Sequence, residues 1–66
     1  MGYYLFEERF SKNMFIVCAD NLGDAAWVAD GIVQNIGEKY NEGFYLLNYI
    51  REITKDEAEM SGLNIY

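Results

Sequence analysis

The sequence predicts an α+β domain of order ββαβα: a small antiparallel sheet, one main helix packed on one of its faces, and a short C-terminal helix. Three observations carry this reading. Tyr3–Phe10 and Phe44–Ile53 alternate in the two-residue period of a strand. Leu22, Ala25, Ala26, Ala29, Ile32, Val33 and Ile36 recur at helical spacing, an apolar stripe wide enough to pack on a sheet. Thr54-Lys55-Asp56-Glu57 has the form of a capping box, with threonine and glutamate placed to satisfy each other's backbone donors.

The first strand is aromatic-rich, and its period puts Tyr4, Phe6 and Phe10 on one face. Ser11-Lys12-Asn13 is polar and turn-like. Met14 to Ala19 is a short, continuous apolar run, which predicts a second strand buried on both faces and paired with the first as a hairpin. Asn21 then serves as a helix cap, with Asp24 at the third helical position near the positive end of the dipole. This helix is expected to run to about Ile36 and to end at Gly37 as its C-cap. The chain has no proline, so glycine, asparagine and aspartate supply the punctuation. Glu38–Gly43 reads as a polar loop.

In the third strand, alternation places Phe44, Leu46, Asn48 and Ile50 on one face and Tyr45, Leu47, Tyr49 and Arg51 on the other. The short second helix ends at Gly62, with Leu63 set to touch Ala58. Leu63-Asn64-Ile65-Tyr66 is apolar enough to dock or to add a short strand.

At 66 residues the chain makes one domain, 1–66. A chain this short buries only about 60% of the surface its unfolded form exposes, so small domains lean on staples. Cys18 is the lone cysteine and there is no histidine, which excludes an internal disulfide and leaves a poor set of zinc ligands. What remains is close packing, for which an aromatic content of 17% is well suited, or a partner subunit. The second and third strands carry large apolar residues on both faces, and one long helix covers only one of them. Either the short helix with the tail covers the second face, or another chain does; another chain is the expectation.

The net charge of −6 argues against a phosphate-binding footprint and against an anionic membrane surface. No apolar run has the length to cross a bilayer. The first residues lack the basic segment of a secretory signal, and Phe6 stands where myristoylation needs serine or threonine. With a free cysteine, these features point to the cytoplasm.

Trp27 is the most informative residue. At about 100° per residue it lies almost opposite the centre of the apolar stripe, beside Asp24, Asp30, Gly31 and Gln34. A tryptophan on a polar helix face is a frequent contact hot spot. The bland reading folds it over the helix edge against a loop. Tyr45 and Tyr49 share a strand face and form a second candidate contact, although tyrosine is also simply a favoured strand residue. The carboxylate clusters (Glu7 with Glu8, Asp20 with Asp24, and Asp56, Glu57 and Glu59) read as a solvated surface. Cys18 reads as a buried, inert thiol.

No nucleophile–histidine pair and no phosphate-binding glycine loop is present, so no catalytic residue and no cofactor is expected. The function these features favour is a small non-catalytic protein–protein interaction domain that associates with itself as a homodimer, with another protein as the alternative partner. Its candidate contact residues are Trp27, Gly31, Asp24, Asp30, Gln34, Tyr45 and Tyr49. The runner-up is an acidic inhibitor of the phage type, anti-CRISPR or anti-restriction, that imitates the charge of nucleic acid; this is an analogy of size and charge. It requires Glu7, Glu8, Asp24, Asp30 and Glu38 to gather on one surface.

Overall fold

The computed structural model describes residues 1–40 and 47–66, and for residues 34–40 only their place in a helix. The elements are β1 (Gly2–Glu8), β2 (Met14–Ala19), α1 (Leu22–Tyr40), β3 (Leu47–Ile53) and α2 (Lys55–Met60). The order is the predicted ββαβα, and the three strands pair antiparallel in the order β2-β1-β3. Phe44, Tyr45 and Leu46, the expected start of the third strand, lie outside the described residues, as do residues 41 to 43 of the expected loop.

The hairpin turn is built around a carboxylate. Glu8 pairs with Asn13 across the turn, its N–H donating to the Asn13 carbonyl at 2.8 Å, while its own carbonyl accepts from the Lys12 N–H at 2.9 Å. Its side chain accepts from the N–H groups of Phe10 and Ser11. Those bonds end β1 at Glu8 and turn the chain out of the sheet. Phe10 therefore does not join Tyr4 and Phe6 on the strand face, as alternation predicts; it stands in the loop, 57% exposed. Lys12 completes the turn in the left-handed region, with φ of 64°.

Asn21 caps α1 as expected: its side-chain oxygen accepts from the Asp24 N–H at 2.8 Å, and its carbonyl accepts from the Ala25 N–H at 3.0 Å. The helix continues through Gly37 to Tyr40, so Gly37 is no C-cap. Glycine inside a helix costs only about 1 kcal/mol, and it ends a helix only where the chain turns left-handed. Ala25, Ala29 and Val33 are fully buried from the predicted stripe, with Ala26 and Ile32 partly so. Against them pack Tyr4 and Phe6 of β1 and Phe15, Val17 and Ala19 of β2. Leu22, the first helical residue, is more exposed than the stripe predicts.

A bulge in β3 resolves a conflict between the two faces. Phe6 pairs with Tyr49, whereas Leu5 pairs with Arg51, so Ile50 is an extra residue. Leu47 and Tyr49 thus lie on the α1 side, with the Tyr49 ring 5.6 Å from that of Phe6. Beyond the bulge Arg51 and Ile53 turn to the other side. Strict alternation, which groups Arg51 with Leu47 and Tyr49, fails at this point.

The second face of the sheet is covered from within the chain. Leu5, Ile16 and Ile53 are buried there with Ala58 of α2, and Tyr3 and Leu63 pack at the margin. The tail runs parallel beside β2: Ile16 N–H donates to the Asn64 carbonyl at 2.9 Å, Tyr66 N–H to the Ile16 carbonyl at 2.8 Å, and Cys18 N–H to the Tyr66 carbonyl at 2.9 Å. Toward the hairpin the same face becomes polar, where Arg9 donates to Asn48 and Asn48 to Glu7. The expectation that another chain must cover this face is therefore replaced by α2 and the tail.

Only six residues long, α2 depends on its ends. Thr54 Oγ1 accepts from the Glu57 N–H, and Glu57 Oε1 accepts from the Thr54 N–H, both at 3.1 Å. Gly62, with φ of 73°, turns the chain after the helix and sends Leu63 back onto the cluster that contains Ala58. Thr54→Ala is expected to lower stability by about 1 kcal/mol. It should also speed hydrogen exchange at the Ile16 and Cys18 amides, which hold the tail. Unchanged exchange at those two amides would mean that the tail docks independently of α2.

Candidate functional site

Helical geometry and the position of the sheet together decide what α1 presents to solvent. Its buried stripe faces Tyr4, Phe6, Phe15 and Val17. The opposite face carries Asp24, Trp27 and Gly31, all exposed, with Val28 beside them. Trp27 is 79% exposed, the indole standing in solvent on the second turn of the helix. A β-carbon added at Gly31, one turn further on, would meet no atom within 4 Å. Among the described residues nothing, the Trp27 ring included, occupies the space above that glycine. The structure thus places three of the seven predicted contact residues together: Trp27, Gly31 and Asp24.

The other four divide. Asp30 is buried at 6% exposure and does not belong to the exposed face. At about 100° per residue it sits on the helix flank between Trp27 and Ala26, and Ala26 packs on the core. The Gln34 side chain and all of Tyr45 lie outside the described residues. Tyr49 belongs to the sheet, where it packs on Phe6 with its outer edge half-exposed. Val28 is an exposed apolar neighbour that sequence reasoning did not select; its angular position, away from the stripe, was the available signal.

The carboxylates do not gather as the acidic-inhibitor reading requires. Glu8 and Asp30 are buried. Glu7 lies on the sheet face opposite α1, at the hairpin end, whereas Asp24 is in the first turn of α1, at the other end of the strands. The Glu38 side chain lies outside the described residues.

Glu8, grouped in the sequence with a solvated surface, is 3% exposed. Burial alone pushes its pKa up. The Ser11 hydroxyl, the Phe10 and Ser11 N–H groups and the charge of Lys12 outweigh burial, and the carboxyl is held below its ordinary value. Glu57 is also lowered, chiefly by its bond with Arg51 at 2.9 Å and by the Thr54 N–H. Tyr3 is raised by burial and then by the adjacent Cys18 and by Glu59; Tyr4 is raised by burial, Glu52 and Tyr49. Each of these four shifts moves its group away from neutrality, opposite to what proton transfer at pH 7 uses.

A cleft of about 200 Å³ lies between the hairpin loop, α1 and the tail, lined in part by Glu8, Ser11, Phe15, Val33 and Tyr66. It is smaller than the roughly 300–1,000 Å³ of typical ligand pockets. Both Glu8 oxygens are already engaged by the loop. Among the described residues no three Cys, Asp or Glu side chains come together to hold a metal ion. No helix of the described residues is long and apolar enough to cross a membrane.

The buried Glu8 makes a pH prediction. Its folded pKa lies below that of the unfolded chain, so its contribution is complete above about pH 4.5 and is lost as pH falls through the folded value. Glu8→Gln should cost about 1–3 kcal/mol at pH 7, because one acceptor oxygen becomes a donor facing the Ser11 donors. Between pH 5 and about pH 3 the variant should lose less stability than the parent chain. Parallel denaturation curves over that range would show that the charge of Glu8 contributes nothing.

No protein-family model, no curated protein and no solved structure matches this chain.

Proposed function

We propose that the chain is a non-catalytic protein–protein interaction domain, with the outer face of α1 as its contact and Trp27 as the anchor. The observation that carries this reading is the 79% exposure of Trp27 on a rigid helix, beside an unfilled space at Gly31. A tryptophan buries about 150–250 Å² when covered, the largest apolar contribution one side chain can make to an interface. Folding alone gains little from it in this position. Its neighbours Asp24 and Val28 give the polar rim and apolar centre common to contact patches. A cytoplasmic setting goes with this reading, supported by the free thiol of Cys18.

Two measurements test the proposal. Trp27→Ala should leave the denaturation midpoint within about 0.5 kcal/mol of the parent, as an exposed residue should. A photo-crosslinking side chain at position 27 should form protein adducts in the cell, whereas the same group at Asp56 on α2 should not. A large loss of stability would make Trp27 a folding residue. Absence of adducts at 27, or equal adducts at both positions, would overturn the contact face.

A further inference from the structure

We infer that the occupant of this face is a second copy of the chain, docked through an antiparallel α1–α1 pair in which each Trp27 lies over the Gly31 of the other copy. The inference rests on the reading of α1 as the contact face and adds to it the identity of the partner. Trp27 and Gly31 stand on successive turns of one exposed stripe, about 40° apart around the helix. One is the largest knob an α-helix can carry and the other is the deepest hole. A two-fold axis passing between them, near residue 29, sets residue 27 of each helix against residue 31 of the other. The same match is then made twice, as an isologous contact requires. The hole is open among the described residues, since an added β-carbon at Gly31 meets none of their atoms beyond its own helix backbone within 4 Å. Bare backbone at the crossing also lets two helices approach to about 8 Å.

Charge permits the pairing. Between Asp24 and Gly31 the exposed stripe carries no charged side chain, because Asp30 is buried. The two-fold sends the two Asp24 residues to opposite ends of the contact, about 15 Å apart along the axis at 1.5 Å per residue. That exceeds the Debye length of about 8 Å at physiological salt. Repulsion between two chains of net charge −6 opposes the pairing. In area, two tryptophans supply about 300–500 Å², a good part of what an interface at the small end, about 1,200 Å² in total, requires. The pair therefore belongs to the weak, concentration-dependent class.

Trp27 is the lone tryptophan, so intrinsic fluorescence reports this contact directly. The experiment is sedimentation equilibrium of the whole chain from about 10 μM to about 1 mM, spanning weak affinities, with emission recorded on the same samples. The mass should rise from 7.7 kDa toward twice that value while the emission shifts to the blue in step. Added salt should strengthen the association by screening like charges, whereas salt would weaken a contact with a basic protein.

Trp27→Ala should remain a monomer. Gly31→Ala gives the sharper test: it should favour folding by about fivefold, as alanine does over glycine in a helix, yet weaken association about tenfold or more by filling the hole. No merely structural role moves the two quantities in opposite directions. A monomer at every concentration, or a dimer that ignores both substitutions, would overturn the second copy as occupant. The contact-face reading would still stand or fall separately on the adducts formed at position 27.

Discussion

Leu5 and Phe6 are neighbours on the central strand, they point to opposite sides of the sheet, and both are buried. That double burial is the constraint from which the architecture follows. A sheet whose middle strand is apolar on both faces needs two layers of cover. α1 provides the first through Ala25, Ala29 and Val33. No second long helix is present among the described residues. α2 and the tail share the second layer instead, one over Leu5 and Ile53, the other along the edge of β2. With no disulfide available, both depend on local bonds: the capping box at Thr54 and the backbone pairing of Ile16 with residues 64 and 66.

The bulge at Ile50 belongs to the same constraint. β3 must present Leu47 and Tyr49 to the α1 core, yet it must also present Ile53 to the α2 core. Residues 47, 49 and 53 differ by even numbers, so regular alternation would put all three on one side. One inserted residue changes the parity and satisfies both cores. It also frees Arg51 to reach Glu57 on α2, although a pair this exposed contributes little to stability. The same bulge, with Arg51 and Glu52 exposed beside it, keeps the outer edge of β3 a poor template for further strand pairing.

The fold was legible where periodicity and capping chemistry act locally. The bounds of β2, the Asn21 cap, the alanine stripe and the Thr54 box are all written in short spans of residues. The places where reading fails depend on contacts distant in sequence or on one side chain bonding to backbone. The bulge follows from two cores, neither visible in β3 itself. Phe10 leaves the strand because Glu8 captures the N–H groups beyond it. The cover of the second face depends on where the tail docks, and four apolar-to-polar residues at the end of a chain do not announce their partner strand. At the site, the angular position of Trp27 was enough to predict its exposure. Asp30, only about 60° away around the helix, falls on the flank that burial reaches.

The exposure of Trp27 gains its meaning from the economy of the rest. A domain of this size has little apolar surface to spare, and the chain uses alanines where the helix meets the sheet, keeping its largest side chain outside. Exchanging residues 27 and 26, a shift of about 100°, would turn the indole toward the core margin. Close approach of α1 to the sheet forbids this, because a tryptophan would hold the two layers apart. The geometry that makes small residues necessary on the inner face thus leaves the outer face as the place where a large one fits without strain. Such a residue adds nothing to the monomer's core and exposes apolar area that water disfavours at roughly 25 cal/mol per Å². That free energy is recovered only when something covers the ring. The helix holding it is capped at Asn21 and packed on the sheet, so little conformational entropy remains to be lost on contact. Capping, exposure and an empty neighbouring space at Gly31 are therefore the features on which the proposed contact face rests.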